Sequence, residues 1–408
     1  QAEEMAFLSK ALLIAVFLPQ KPMFAINTYI AKKWWMKPFF LISDLYPLDP
    51  TNPMATKSLI SEIKKDKKCV IFPEGRITVT GSLMKIYEGP GMIADKSEAM
   101  ILPIRIDGAQ YSPLSRLKGK VKIKLFPKIT LKILKAVKFD IDPKITGRER
   151  REANGNKLYD IMTNMIFEGS DYNKILFQSL LDARSKNGSK HEILVDIDRK
   201  PVTYDKLIAS SFILGEKIAN NTKIGEFVGL LLPNMTSSII AFFAVQAYGR
   251  VPAMLNFSTG SKNLLSAVKT SEIKTIYSSR RFIKSAKLQG LTEEINKHNI
   301  NIIYLEDIKK EINYINKIKG FAKSKFAYYY LNKINKSSPD KAAVILFTSG
   351  SEGVPKGVVL SHKNLQANRF QLASRVDFSS QDIVFNVLPI FHSFGLTGGT
   401  LLPILSGI

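Results

Sequence analysis

One stretch restricts the fold of this chain more than any other. It runs Ala343-Val-Ile-Leu-Phe-Thr-Ser-Gly-Ser-Glu-Gly-Val-Pro-Lys-Gly357. A short apolar run bounded by turn residues reads as a buried strand. Here it empties into a loop of hydroxyl residues and glycines with one lysine. Gly350, Gly353 and Gly357 permit tight turns and close approach to a ligand. Backbone N–H groups and the hydroxyls of Thr348, Ser349 and Ser351 can donate to phosphate oxygens, and Lys356 adds a positive charge. Glu352 and Pro355 complete the loop. The string is not the Gly-x4-Gly-Lys-Ser/Thr of a Walker loop. The competing reading is a Gly/Ser turn between two strands.

The surrounding pattern is α/β. A chain of 408 residues is long for one core, which favours two domains. In the first part, Met54–Lys65 reads as an amphipathic helix after the turn Pro47-Leu-Asp-Pro50. Cys69–Phe72 reads as a strand entering a turn at Pro73-Glu-Gly75, and Ile101–Ile106 as the next strand. Val121–Leu125 and Ile129–Leu134 read as two more strands around Pro127. A polar helix from about Thr146 to Ser170 closes this part. The boundary is expected near Gly169-Ser170, giving domains 1–170 and 171–408.

The second part repeats strand and helix. Ile193–Val195, Phe227–Leu232, Lys274–Tyr277 and Ile302–Leu305 read as strands, and Thr203 as the N-cap of a helix to Ala219. Such repetition implies a parallel sheet covered on both faces. Ser237–Leu255 is apolar but broken by Gln246, Arg250 and Pro252, so a buried helix is favoured over a membrane span. Lys309–Lys336 is helical and rich in lysine. Its stripe Phe326-Ala-Tyr-Tyr-Tyr330 is expected to pack on its own domain, with docking on a membrane as the alternative.

Fifty-nine Lys and Arg against 35 Asp and Glu leave a formal charge of +24. That field suits a polyanion such as an anionic membrane face, or reflects a lysine-biased composition. No arginine-rich helix, zinc finger or RNA-binding aromatic signature appears, so nucleic acid is not expected as a partner. A single cysteine, Cys69, excludes a disulfide framework and is expected to be packed. The four histidines are His191, His298, His362 and His392, and residues 1–190 have none. The first residue is Gln1 and the apolar end at Ile408 has no stop signal, which fits a fragment of a longer chain.

Thr348-Ser-Gly-Ser-Glu-Gly-Val-Pro-Lys-Gly357 resembles the phosphate loop of the adenylate-forming, acyl-activating enzymes. Val358-Val-Leu-Ser-His-Lys363 and Leu388-Pro-Ile-Phe-His-Ser-Phe-Gly395 are similar to the elements that follow it there. The resemblance implies that ATP and a fatty acid give acyl-adenylate and pyrophosphate, with Mg2+, and that the acyl group passes to a thiol. It implies ATP contacts from Thr348, Ser349, Gly350, Ser351, Glu352, Gly353, Pro355 and Lys356. It places His392, Phe394 and Gly395 at the acyl and adenylate pocket. Helix capping or core packing is the other reading of His392, and His362 is read as starting a helix. The family's later motifs would lie beyond Ile408, so this chain alone is not expected to complete adenylation.

Val70-Ile-Phe-Pro-Glu-Gly-Arg76 with Ile101-Leu-Pro-Ile104 resembles the third and fourth motifs of glycerophospholipid acyltransferases. Glu74, Gly75 and Arg76 would then bind the acceptor, Arg76 by bidentate contact with a phosphate. A plain strand–turn is the competing reading. The longer string Ile71–Gly91 and Pro47–Met54 resemble the bifunctional family that joins a 2-acylglycerophosphoethanolamine acyltransferase to an acyl-acyl-carrier-protein synthetase. That family implies acyl carrier protein, fatty acid and a lysophospholipid as partners, at the cytoplasmic face of the cell (inner) membrane. Its His-x4-Asp dyad, with His as general base, should fall near Met5 and Lys10. Neither residue can serve, so no catalytic residue is identified, and the chain as written is expected to transfer no acyl group.

Overall fold

Alternating apolar runs and amphipathic stretches form strands and helices in a computed structural model that describes residues 2–18, 20–33, 36, 41–49, 52–75, 83, 85–115, 117, 119, 121–348, 355–376 and 378–408, with backbone alone over 2–9. The chain divides into two compact units, Gln1–Ser170 with Ala373–Ser379, and Asp171–Leu372 with Ser380–Ile408. The architecture is α/β.

The first unit begins with helix α1 (Ala2–Phe17), β1 (Met23–Asn27), α2 (Thr28–Ala31), β2 (Asp44–Leu48), α3 (Pro53–Lys64) and β3 (Cys69–Val70). The three strands are parallel in the order β2-β1-β3. Ala11, Ile14 and Ala15 of α1 are buried with Phe24, Ile26 and Met36. Asn52 caps α3 by accepting from the Met54 N–H at 2.9 Å. Pro53 follows at a position whose N–H has no helical partner. Pro47, expected in a turn, lies inside β2 instead. An edge strand tolerates the missing donor.

The rest of this unit is α4 (Glu88–Ser97), β4 (Met100–Ile101), β5 (Ile104–Asp107), β6 (Thr130–Ile133), β7 (Val137–Lys138) and α5 (Gly147–Glu168). Strand β5 pairs antiparallel with β6, and β4 with β7. The strand expected over Ile101–Ile106 is thus broken at Leu102-Pro103. Val121–Leu125 is not a strand. Only Val121 makes an isolated bridge, and Leu125 and Phe126 are exposed among the described residues; Pro127 cannot donate to a ladder. Helices α4 and α5 are locked by Asp95, which accepts from Arg150 Nη2 at 2.7 Å, Arg150 Nε at 2.8 Å and Asn154 Nδ2 at 3.2 Å. The guanidinium holds the Asp95 carboxyl below the usual carboxylate range.

The second unit opens with α6 (Leu176–Asn187), the antiparallel pair β8 (Glu192–Leu194) and β9 (Val202–Thr203), and α7 (Tyr204–Asn220). Thr203 caps α7, as expected, accepting from the Lys206 N–H at 3.3 Å. There follow β10 (Phe227–Leu231), α8 (Thr236–Ala247), β11 (Val251–Met254), α9 (Ser261–Thr270), β12 (Thr275–Ser278), α10 (Arg280–Ser285), α11 (Gln289–Lys297) and β13 (Asn301–Tyr304). Then come α12 (Leu305–Glu311), α13 (Tyr314–Lys325), α14 (Ala327–Ile334), β14 (Ala342–Thr348), β15 (Lys356–Ser361), α15 (His362–Arg375), α16 (Ser393–Leu396) and α17 (Leu402–Ser406).

The sheet runs β13-β12-β10-β11-β14-β15. All neighbours are parallel except β15, which returns antiparallel along β14. Buried residues of α6, α7 and α8, including Phe177, Phe212 and Phe243, form one cluster. The rings of Phe177 and Phe212 meet edge to face at 5.4 Å. Leu264, Val268, Phe282, Leu291 and Ile295 of α9, α10 and α11 form another with sheet residues. The apolar stretch after Ser237 becomes buried α8 and then β11. Among the described residues no helix is long and apolar enough to cross a membrane.

The aromatic stripe departs from expectation. Ala327 and Leu331 are buried, but Phe326, Tyr328 and Tyr329 are exposed. Positions four apart share a helix face, and α14 turns 327 and 331 inward.

Candidate functional site

Strand β14 is buried from Ala343 to Phe347 and emerges at Thr348, which is exposed. The antiparallel partner returns at Lys356, directly opposite Thr348, and Gly357 lies opposite Phe347. A Cβ at Gly357 would come within 2.8 Å of Ile345 Cδ1, so glycine lets β15 lie close over β14. The stem therefore fixes both ends of the intervening loop. Ser349, Gly350, Ser351, Glu352 and Gly353 lie outside the described residues. Thr348 and Pro355 border a small hollow with Leu255, Asn256, Thr259 and Asn263, beyond the carboxyl ends of parallel β11 and β14. That is where open α/β sheets receive ligands. Asn256 shapes the rim. Its Oδ1 accepts from the Ser258 N–H at 2.9 Å and hydroxyl at 2.7 Å.

The Leu388–Gly395 segment is held by a residue that the sequence motifs do not single out. Asn234, in the turn after β10, donates from Nδ2 to Leu388 O at 2.7 Å and accepts at Oδ1 from the Ile390 N–H at 3.0 Å. An Asn after a buried strand was the only signal available. Phe391 meets Phe257 at 5.1 Å between ring centroids, and Phe257 belongs to the short 3-10 helix that also carries Thr259. The loop stem and the His392 segment thus flank one element.

His392 stands at the N-terminal boundary of α16, is exposed, and caps nothing with its side chain. Phe394 is exposed too. Gly395 is buried, and a Cβ there would lie 2.1 Å from Pro389 O. Its carbonyl accepts from the Thr400 hydroxyl at 2.9 Å. His362 begins α15, as expected, but it is also buried. Its Nδ1 accepts from the Leu176 N–H at 3.2 Å, and burial lowers its pKa to about 4.

In the first unit, Phe72–Gly75 forms a turn closed by the Gly75 N–H on Phe72 O at 3.1 Å. Gly75 has φ +63, and the Tyr87 ring lies 3.0 Å from where its Cβ would be. Glu74 is half-buried. Arg76 lies outside the described residues. Lys10 of α1, at the place expected for the second dyad residue, feels the Glu74 carboxylate. Burial lowers its pKa, and Glu74 opposes that shift. Cys69 is packed, with its thiol pushed up to about 12 by burial.

Residues 181–408 match the family model "AMP-binding enzyme", and residues 7–107 match "Acyltransferase". A 4-coumarate–CoA ligase of Petroselinum crispum is 24% identical over 236 residues, 55% of this chain and 40% of the relative. A medium-chain-fatty-acid–acyl-carrier-protein ligase of Teredinibacter turnerae is 25% identical over 240 residues, 52% of this chain and 37% of the relative. A medium-chain fatty-acid–CoA ligase of Escherichia coli is 40% identical over 68 residues, 17% of this chain and 12% of the relative. The chain spans about 40% of the length of the first of these relatives. With an acyltransferase domain ahead of a matched region that fills more than half its length, the chain belongs to the AMP-binding enzyme family.

Proposed function

We propose that this chain is part of a bifunctional enzyme of phospholipid remodelling. The second unit binds ATP and a fatty acid. In the whole enzyme a carboxylate oxygen of the acid attacks the α-phosphorus and pyrophosphate leaves; the thiol of acyl carrier protein then attacks the acyl carbon, loses its proton, and displaces AMP to give the thioester. The first unit belongs to the transfer of that acyl group to 2-acyl-glycerophosphoethanolamine at the cytoplasmic face of the cell membrane.

The observation that carries the nucleotide reading is the β14–β15 stem, which sets Thr348 against Lys356 beside a hollow at the carboxyl ends of the sheet. There Thr348, Ser349 and Ser351 would donate to phosphate oxygens, Gly350 and Gly353 would let the backbone approach, and Lys356 would offset negative charge. Pro355 borders the same hollow, and Glu352 is expected to contact ATP with these residues. His392, Phe394 and Gly395 would border the acyl end. Magnesium comes with the phosphates. Among the described residues no group of three His, Cys, Asp or Glu side chains is placed to hold a metal ion. For the first unit, the support is the acyltransferase match over 7–107 and the Glu74–Gly75 turn, to which Arg76 would add a phosphate ligand.

Titration of ATP into the protein tests the first half. Lys356→Ala should weaken binding roughly tenfold or more, as loss of one charge-assisted contact implies. Equal affinity would remove Lys356 from the site. For the second half, radiolabelled acyl transfer from preformed acyl-acyl carrier protein should be undetectable in the chain as written and appear once both dyad positions are restored with Met5→His and Lys10→Asp. No transfer from the restored protein sinks the lipid reading. A long-chain acyl-CoA ligase with a silent first unit is the second reading, favoured by the coenzyme A ligases among the relatives. In a version extended through the family's later motifs, charging of coenzyme A in preference to carrier protein would support it, and absence of ATP binding would leave a non-catalytic remnant.

A further inference from the structure

The consecutive helices α13 and α14, joined at Phe326, have one face fixed inward. A Cβ at Gly320 would lie 2.1 Å from Ile213 Cγ1, so α13 packs tightly on α7. Ser324 is buried, and its carbonyl accepts from Arg184 Nη1 at 2.7 Å. Lys323 reaches Glu216 at 2.6 Å. Ala327 and Leu331 continue the same inward line.

These contacts leave the opposite face to solvent. It carries Tyr314, Ile315, Ile318, Phe321, Phe326 and Tyr329, all more than half exposed, from 53% at Ile318 to 76% at Tyr314. Isolated exposed apolar residues are ordinary, but six large ones along two consecutive helices mark an interaction surface. Between Ile312 and Pro339 there are six lysines and no Asp or Glu. Lys317, Lys319, Lys325 and Lys333 are exposed, and among the described residues none has an acidic partner. Lys325 Nζ lies 6.0 Å from the Phe321 ring centroid, so basic and apolar groups are interleaved on the same face.

We propose that this face docks on an anionic bilayer surface. Aromatic and aliphatic groups enter the headgroup boundary, and lysine stems lie along them with ammonium groups among the lipid phosphates. A second copy of the chain is a poor occupant, because the like charges of two such faces would oppose each other and lysine is depleted from protein interfaces. The proposal rests on the phospholipid reading only in that a lipid acceptor brings the enzyme to a bilayer. It adds the surface that makes contact.

Co-sedimentation of the whole chain with phosphatidylcholine vesicles, pure or with roughly one-third phosphatidylglycerol, tests it. Binding should require phosphatidylglycerol and weaken as salt rises. The pair Ile318→Glu with Phe321→Glu should lose at least about tenfold in binding, as should Lys317→Glu with Lys325→Glu. Both pairs lie on exposed positions, so thermal unfolding and ATP affinity should match the parent. Equal vesicle binding by either pair overturns the proposal, as does equal binding to pure phosphatidylcholine. If the pairs instead lose acyl carrier protein or self-association while vesicle binding persists, the face belongs to a protein partner and the proposal fails. Loss of ATP binding in the parent with vesicle docking intact refutes the nucleotide reading alone.

Discussion

At the residue scale the two informative groups are one that the motifs named and one that they undervalued. Gly395 was singled out by resemblance, and its burial against Pro389 O explains why only glycine fits. Gly395→Ala should cost about 1–3 kcal/mol in chemical denaturation, since a Cβ 2.1 Å from a carbonyl oxygen forces the backbone to move. A change under a few tenths would contradict that packing. His362 was legible as a helix start and no more, because its partner, the Leu176 N–H, is remote in sequence. Its folded pKa of about 4 lies below the ordinary 6.5. The unfolded chain therefore takes up the proton first as pH falls. The contribution is fully present above pH 6.5 and is lost down to about pH 4, a change of order 3 kcal/mol. His362→Gln, which keeps an acceptor without titrating, should show a smaller loss of stability between pH 7 and 4. An identical loss in both proteins would remove His362 as a cause.

At the scale of elements, periodicity located what packing dictates. The parallel strands β10, β12 and β13, with α3, α5 and the capped α7, are readable because each has a continuous apolar run, a buried face or a local cap, whereas β11 lies in the Ser237–Leu255 stretch that reads as helix. The failures share a cause. Val121–Leu125 has strand-like composition, yet Leu125 is exposed among the described residues. The stripe at Phe326–Tyr330 reads as packed on its own domain, yet α14 commits only Ala327 and Leu331 inward. Composition carries no information about which side of a helix finds a neighbour. The clamp from Asn234 onto Leu388 and Ile390 was equally illegible, because it joins two loops far apart in the chain. Asn234→Ala should free that segment, destabilise the protein by about 1–3 kcal/mol, and speed amide exchange across 386–396. Unchanged exchange there would show that the segment is held by other contacts.

At the scale of the whole molecule, an acyltransferase domain ahead of an AMP-binding region gives the motifs a joint meaning that neither has alone. The order of elements around the glycine-rich loop is legible because a strand, a glycine-rich segment and a returning strand are local. The tie between that loop and the His392 segment runs through Phe257 and needed the fold. The central claim is that the loop between Thr348 and Lys356 receives the nucleotide's phosphates. Amide hydrogen exchange across residues 342–361, with and without saturating ATP, tests it most directly. The account predicts strong slowing at 349–357 on ATP addition, with little change in the buried strand before it. ATP binding that leaves exchange at 349–357 untouched would contradict it.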